Sequence, residues 1–440
     1  MTGSTVTESA PSADVTQVTV CAPVNIAVIK YWGKRSVSLN LPTNSSLSVT
    51  LHTDDLRSTT TAACSPLFAS SGEGDILWLN GKKENVAKAK RFAAAVEEAR
   101  KMRRERETAD ASLPKLSQQP IRIASVNNFP TAAGLASSAS GYAALVFALK
   151  ELYDLPVSAT ELSRAARLGS GSACRSVFGG FVAWRAGEKE DGLDSVAEQV
   201  ADDGHWPDVE ALILVASDAK KDVGSTEGMQ GTVATSELFP ARVANSVPKR
   251  MKQMEKAIAS RDFDLFAETT MRDSNQFHAT CLDTYPPVFY MNDASRAVVR
   301  LVHAYNDLFL AKEPSGADET DGPTYRGYRC AYTFDAGPNA VIYTLRSNLP
   351  QLAAIVQQLI PNAPETNKEE FWGPYLAELF NSGSLPDVSG VIEYMGLSPL
   401  PVGAIRRAIH TKVGPGPTVL AKGYVDGVSL LRTDGNIIEK

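Results

Sequence analysis

Apolar and polar residues alternate at Val18 and Val20, and again at Leu47, Val49 and Leu51. That period of two is the pattern of a half-buried β-strand. Residues 25–31 are mostly apolar with one lysine near the end, and Ile121 and Ile123 begin another strand-like stretch. Short apolar blocks at 76–79, 212–215, 331–334 and 340–345 read as further strands, the first ended by the turn dipeptide Asn80-Gly81. Other segments carry the helical period. Tyr142, Leu145, Val146, Leu149 and Leu152 share one face, with Lys150 and Glu151 opposite. Residues 88–107 and 158–168 also read as helices. Val247, Met251, Met254 and Ile258 form a stripe that reads as core packing, not as a methionine-rich cofactor box, and Ala297, Leu301, Ala304 and Leu308 form another.

The 440 residues show no internal repeat. Strands and helices mix without the regular βαβ beat of a doubly wound sheet, so the pattern predicts an α+β fold in two parts. The expected division is a loose tail at 1–16, a first unit at 17–205 and a second at 206–440. Two polar stretches, 314–327 and 361–390, read as lengthened surface loops.

Charge narrows the function. Lysine plus arginine total 44 against 50 acidic residues, a net charge of −6, which argues against a protein coated for nucleic acid or anionic lipid. The basic run Lys101–Arg106 is interspersed with glutamates and reads as a solvated helix face; Arg91, near its start, is a candidate distant anion contact. No apolar run approaches the roughly 20 residues that span a bilayer, and the polar N-terminus lacks a signal pattern, so a cytoplasmic location is expected. Five scattered cysteines without a CxxC pair point to a reducing compartment, and the five scattered histidines do not point to a histidine-built metal site.

The stretch 130–141, PTAAGLASSASG, holds small residues between a strand and a helix. Such a loop lets backbone N–H groups and a helix N-terminus approach an anion, and Ser137 and Ser138 add hydroxyls. It matches neither a Walker loop nor GxGxxG, and a tightly packed helix start is the competing reading. Residues 27–34, AVIKYWGK, place Lys30 and Lys34 around Tyr31 and Trp32. Residues 169–180 form a hydroxyl-rich stretch with Arg175, whose guanidinium fork suits a carboxylate or phosphate. Each is also compatible with an ordinary strand end or loop.

Pro130, Gly134, Leu135, Ser137, Ser138 and Ala139 fit the P-x-x-x-G-L-x-S-S-A motif, and the chain resembles the GHMP kinase superfamily through them. Four segments in order, KYWGK at 30–34, NNFPTAAGLASSA at 127–139, GSGSACRS at 169–176 and FDAGPN at 334–339, resemble the mevalonate diphosphate decarboxylase family in its eukaryotic form. PTNSSLSVTL at 42–51 and DSNQFHATCLDTYPP at 273–287 add to the match. The resemblance implies the two-domain GHMP architecture, with a ribosomal-protein-like N-terminal domain and a ferredoxin-like C-terminal domain. It implies ATP and Mg²⁺, phosphorylation of the C3 hydroxyl of mevalonate 5-diphosphate, and loss of phosphate and CO2 to give isopentenyl diphosphate, an isoprenoid and sterol precursor. It further implies a homodimer without membrane insertion or nucleic acid.

By the same resemblance Asp335 serves the C3 hydroxyl, Arg175 the C1 carboxylate, and Lys30 the transferring phosphoryl group or Asp335 itself. The substrate contacts it implies are Tyr31, Trp32, Gly33, Lys34, Arg91, Ser170, Gly171, Ser172, Ala173, Cys174 and Met229. The nucleotide contacts are Ala133, Gly134, Leu135, Ala136, Ser137 and Ser138, with Ser138 also a candidate magnesium ligand. A kinase that stops at phosphorylation, a ligand-sensing relative and an RNA-binding protein are the alternatives. Lys30–Lys34 together with Arg175 argue against the first, Lys30, Arg175 and Asp335 against the second, and the net charge of −6 with the lack of an aromatic-basic platform against the third.

Overall fold

The computed structural model describes residues 15–129, 137–217, 219, 221–312, 323–362 and 366–438. Residues 1–14 of the expected tail at 1–16, the loop residues Ala133, Gly134, Leu135 and Ala136, and residues 314–322 of the polar stretch 314–327 lie outside the described residues, while Thr16 already begins a strand.

Three main sheets organise the chain. The first has six strands in the order Thr418–Lys422, Thr16–Pro23, Arg57–Cys64, Ile121–Asn127, Ile76–Leu79 and Lys82–Glu84. Val18, Val20, Ile121 and Ile123 point from it onto the helices Lys90–Ala109, Ser137–Leu152 and Ala159–Gly169, where Phe92, Leu145, Leu149 and Leu162 close the core. The last of these helices starts on a capping box, Ser158 with Glu161, which satisfies N–H groups that the first turn leaves open. The Asn80-Gly81 turn ends the strand Ile76–Leu79 as the sequence predicts, and a strand without apolar signal, Lys82–Glu84, exposed along its length, pairs back on it.

The second sheet has the order Ala197–Ala201, Phe181–Trp184, Ser46–Thr50, Asn25–Ile29. Ser46–Thr50 alternates in sequence, yet every residue is buried, because polar side chains face the interior too. The third sheet is antiparallel in the order Cys330–Phe334, Ala340–Leu345, Val209–Val215, Arg407–Lys412. Its apolar strand Val209–Val215 is buried throughout, as a continuous run rather than an alternation requires. The helices Val247–Ser260, Phe263–Leu282, Asp293–Asp307 and Leu349–Leu359 share one core with this sheet and with Ile26, Val49 and Phe181 of the second.

Three expectations are corrected. The stretch 361–390 is not merely a surface insertion. It carries Lys368–Asn381, kinked at Gly373-Pro374, with Phe371, Trp372 and Leu376 buried. The Pro and Gly that read as loop punctuation bend an element whose apolar residues still reach the core. The polar stretch 314–327 ends in a paired strand, Tyr325–Arg326, bonded to Ala311–Lys312. On the helix Lys90–Ala109 the basic run is not wholly solvated. Arg103 is buried, pairs with Glu107 at 2.8 Å, and donates to the carbonyls of Tyr153 and Pro114.

Candidate active site

Lys30 stands immediately after the strand Asn25–Ile29, where the chain leaves the second sheet. Its side chain is buried, and its Nζ donates to Asp335 Oδ1 at 2.6 Å. Asp335 follows the strand Cys330–Phe334 of the third sheet, so the pair joins segments 305 positions apart. The Asp335 side chain is 26% exposed and lines a cavity of about 320 Å³. Burial lowers the Lys30 pKa from its ordinary value, and the Asp335 charge opposes that effect.

Arg175 ends the short turn Gly171–Cys174 and lines the same cavity. It is 2% exposed. Its Nε donates to Ser48 Oγ at 3.0 Å and Asn25 Oδ1 at 3.3 Å, its Nη1 donates to Ser46 Oγ, and the group lies 6.0 Å over the Trp184 ring. Among the described residues no carboxylate pairs with it. Its hydrogen bonds are all to neutral groups, and burial lowers its pKa while the nearby Asp335 charge opposes that effect.

The cavity gathers Lys30, Lys34, Arg91, Arg175 and Lys221 around the one described carboxylate, Asp335. In a chain of net charge −6, that excess marks a place for a polyanion. Lys34 Nζ donates to Asn40 Oδ1 at 2.7 Å, and burial, with Arg91 adding to it, pulls its pKa down to about 8. Arg91 is turned toward the cavity by Thr226, to whose Oγ1 it donates at 2.9 Å. Tyr31, Trp32, Ser170, Gly171, Ser172 and Met229 also line the cavity. Trp32 is fixed by its Nε1 donating to Thr232 Oγ1 at 2.9 Å and by edge contacts with Phe277 and Tyr290.

Three of the expected substrate residues stand behind this wall. Ala173 and Cys174 are fully buried in the core, and burial pushes the Cys174 thiol up to about 12. Gly33 makes the turn after Trp32 at φ 87, where a Cβ would meet Phe239 and Thr43 at 2.5 and 2.6 Å. Gly171 allows the Tyr31 ring its close approach, since a Cβ there would lie 2.9 Å from it.

Ser137 and Ser138 open the helix Ser137–Leu152 and form a shared wall. On one side is the cationic cavity. On the other is a more apolar cavity of about 480 Å³ lined by Leu77, Phe92, Asn127, Tyr142 and Leu145. Ser138 Oγ is 3.3 Å from Ser170 Oγ. Among the described residues no three His, Cys, Asp or Glu side chains cluster as a metal site. The hydroxyls of Ser138, Ser170 and Ser172 fit a magnesium ion that is held mainly by phosphates and takes few protein oxygens.

Sequence reasoning missed Asn25, Ser46 and Ser48, which hold Arg175, and Lys221, whose Nζ donates to Ala336 O at 2.8 Å and Ser225 Oγ at 2.9 Å. Asn25 had a signal, a lone amide in an otherwise apolar strand. Lys221 had none, as one of two adjacent lysines in a polar stretch.

The comparisons with known proteins meet this geometry from outside. Residues 22–197 match the diphosphomevalonate decarboxylase-like N-terminal domain, and residues 211–420 match the mevalonate 5-diphosphate decarboxylase C-terminal domain. The chain belongs to the mevalonate diphosphate decarboxylase family. A diphosphomevalonate decarboxylase of Aspergillus fumigatus is 55% identical over 403 residues, covering 92% of this chain and 94% of that one. A crystal structure of a mevalonate 5-diphosphate decarboxylase superposes with a TM-score of 0.77 at 47% identity, covering 94% of this chain and 99% of that one. A structure of MDDEF in complex with MVAPP, AMPPCP and magnesium superposes at 0.67 with 28% identity, over 92% and 99%. The α+β fold is that of the two-domain GHMP architecture. Among the described residues no helix is long and apolar enough to cross a membrane.

Proposed function

We propose that the chain decarboxylates mevalonate 5-diphosphate with ATP, giving isopentenyl diphosphate, ADP, phosphate and CO2. The observation that carries this reading is the Lys30–Asp335 pair together with an Arg175 that no described carboxylate pairs with, within one cationic cavity of a chain in this family.

The chemistry needs those groups. Asp335 orients the C3 hydroxyl and accepts its proton as that oxygen takes the γ-phosphoryl group of ATP. Lys30 fixes the Asp335 carboxylate by its hydrogen bond and stabilises the charge on the transferring group. When the C3–O bond breaks, phosphate leaves with the bonding pair. The C1–C2 pair then becomes the new C2–C3 π bond, and C1 departs as CO2. Arg175 holds the C1 carboxylate by its planar fork until that moment. Lys34, Arg91, Ser170 and Ser172 take the 5-diphosphate, with Tyr31, Trp32, Gly171 and Met229 shaping the wall. Ala173, Cys174 and Gly33 act from behind by fixing the turns. Ser137 and Ser138 sit between the two cavities, which supports the nucleotide lying in the more apolar one with its phosphates toward Lys30. Ser138 would offer its hydroxyl to a magnesium ion on those phosphates, which would supply charge neutralisation there.

The units 17–205 and 206–440 are supported by the two matched domains, which leave only 198–210 between them, except that Thr418–Lys422 and Leu430–Leu431 join the sheet and core of the first unit. A cytoplasmic location is supported by five free, buried cysteines, which suit a reducing compartment. The homodimer rests on the family resemblance, and sedimentation of the purified chain tests it.

The deciding experiment incubates the protein with MgATP and mevalonate diphosphate and measures ADP, phosphate and CO2 together. One of each per isopentenyl diphosphate is expected. ADP without CO2 would make the chain a kinase.

A further inference from the structure

The Lys30–Asp335 pair joins two segments that meet only through the fold, so its 2.6 Å separation needs a fixed reference. The helix Phe263–Leu282 supplies one. Two consecutive residues on it, Asp273 and Ser274, are both fully buried, and neither lines the cavity. Asp273 Oδ2 accepts the backbone N–H of Lys30 at 2.7 Å. Ser274 Oγ accepts the backbone N–H of Phe334, the residue before Asp335, at 3.1 Å.

The Lys30 peptide is held from its other side as well. Its carbonyl accepts from Asn44 Nδ2 at 3.0 Å and from Arg242 Nη2 at 3.3 Å. Arg242 belongs to the π-helical turn Arg242–Ser246 and reaches both oxygens of Asp273, at 2.9 and 3.0 Å. Arg250 adds a third cationic contact at 3.2 Å. A π-helical turn is uncommon in helices and recurs at functional sites. Here it aims one guanidinium at the carboxylate and at the Lys30 carbonyl together.

We propose that Asp273 and Ser274 are positioning residues for the decarboxylation, setting the distance between Lys30 and Asp335 by gripping the backbone beside each. This rests on the function proposed above. Neither side chain touches substrate. A shift of about 1 Å at reacting groups costs on the order of 10²-fold in rate, so losing one anchor lowers kcat by at least about tenfold. Substrate and nucleotide contacts are left in place, so KM changes by less than about threefold.

The test uses Ser274→Ala and Asp273→Asn in the full chain, with wild type in the same assay for ADP and CO2. Wild type that releases no CO2 would sink the proposed function. Wild type that does so, beside variants losing kcat with KM nearly constant, supports the positioning role. Asp273→Asn carries a further signature. Lys30 is faced by Asp335, Asp273, Arg175, Arg242 and His278. Removing the Asp273 charge therefore makes the lysine easier to deprotonate, and the alkaline limb of kcat moves to lower pH. Ser274→Ala leaves that limb in place. Should Asp273→Asn not fold, Ser274→Ala decides alone: kcat per folded molecule within about twofold of wild type overturns the proposal. An equal loss in kcat and nucleotide affinity also overturns it, because that pattern reports a disturbed site rather than a displaced pair.

Discussion

Asp335 is the residue whose replacement separates chemistry from structure. It sits in a Phe-Asp-Ala-Gly-Pro-Asn turn, and Asp in such turns often serves the backbone alone. In this fold its carboxylate instead receives Lys30 Nζ and lines the cavity, while its carbonyl accepts the Gly337 N–H at 2.7 Å. The turn is therefore held by the main chain, and Asp335→Asn leaves that bond intact. A positioned proton acceptor contributes on the order of 10²–10⁴-fold, so turnover falls at least about 100-fold. ATP affinity and melting temperature change little. A folded variant within about threefold of wild-type turnover would end the catalytic assignment. Lys34 gives the complementary prediction in pH. Its pKa is lowered to about 8, so it is charged below that value and loses charge as pH rises through it. A cation needed for a diphosphate then makes kcat/KM for mevalonate diphosphate fall above about pH 8. Lys34→Arg keeps its charge throughout, and its kcat/KM should hold to a more alkaline pH. An unmoved limb would assign the titration to another group.

At the scale of elements, legibility followed how local each signal was. The strands ending at Ile29 and Phe334 and the helix Ser137–Leu152 were legible because period and turn chemistry are properties of neighbouring residues. The motifs placed Lys30, Arg175 and Asp335 in one family, and the fold brings them to one cavity. What could not be read depends on distant partners. Arg103 looks solvated until Glu107 and the Tyr153 carbonyl are seen around it. Trp372 looks like part of a loop because Gly373 and Pro374 follow it, yet its ring is buried among Phe371 and Phe380. Asp273 lies in a matched segment, but nothing in the string says that its oxygen meets the Lys30 N–H 243 positions away. Propensity reports on the chain's own turn or strand, whereas such buried polar bonds exist only once the sheets have packed.

At the scale of the molecule, the C-terminal end returns to the first sheet and fastens the parts together. Thr418–Lys422 pairs with Thr16–Pro23 and covers what would otherwise be an open edge. Beyond it, Leu430 and Leu431 enter a cluster with Phe68, Ile76 and Trp78. The Leu431 carbonyl accepts from Gln17 Nε2 at 3.3 Å, and the Leu430 N–H donates to Thr61 Oγ1 at 2.9 Å. Leu431 is fully buried and does not line the cationic cavity. Leu431→Ala removes apolar atoms and leaves space that rigid neighbours fill only in part, which costs about 2–5 kcal/mol. The main-chain bonds of the segment survive this change, so the loss reports packing rather than pairing. The expected outcome is a lower melting temperature with turnover per folded molecule within about twofold of wild type. The C-terminal segment is then a fastening that the chemistry does not use. A variant that melts normally but loses turnover would instead mean that closing the first sheet sets the geometry around Lys30.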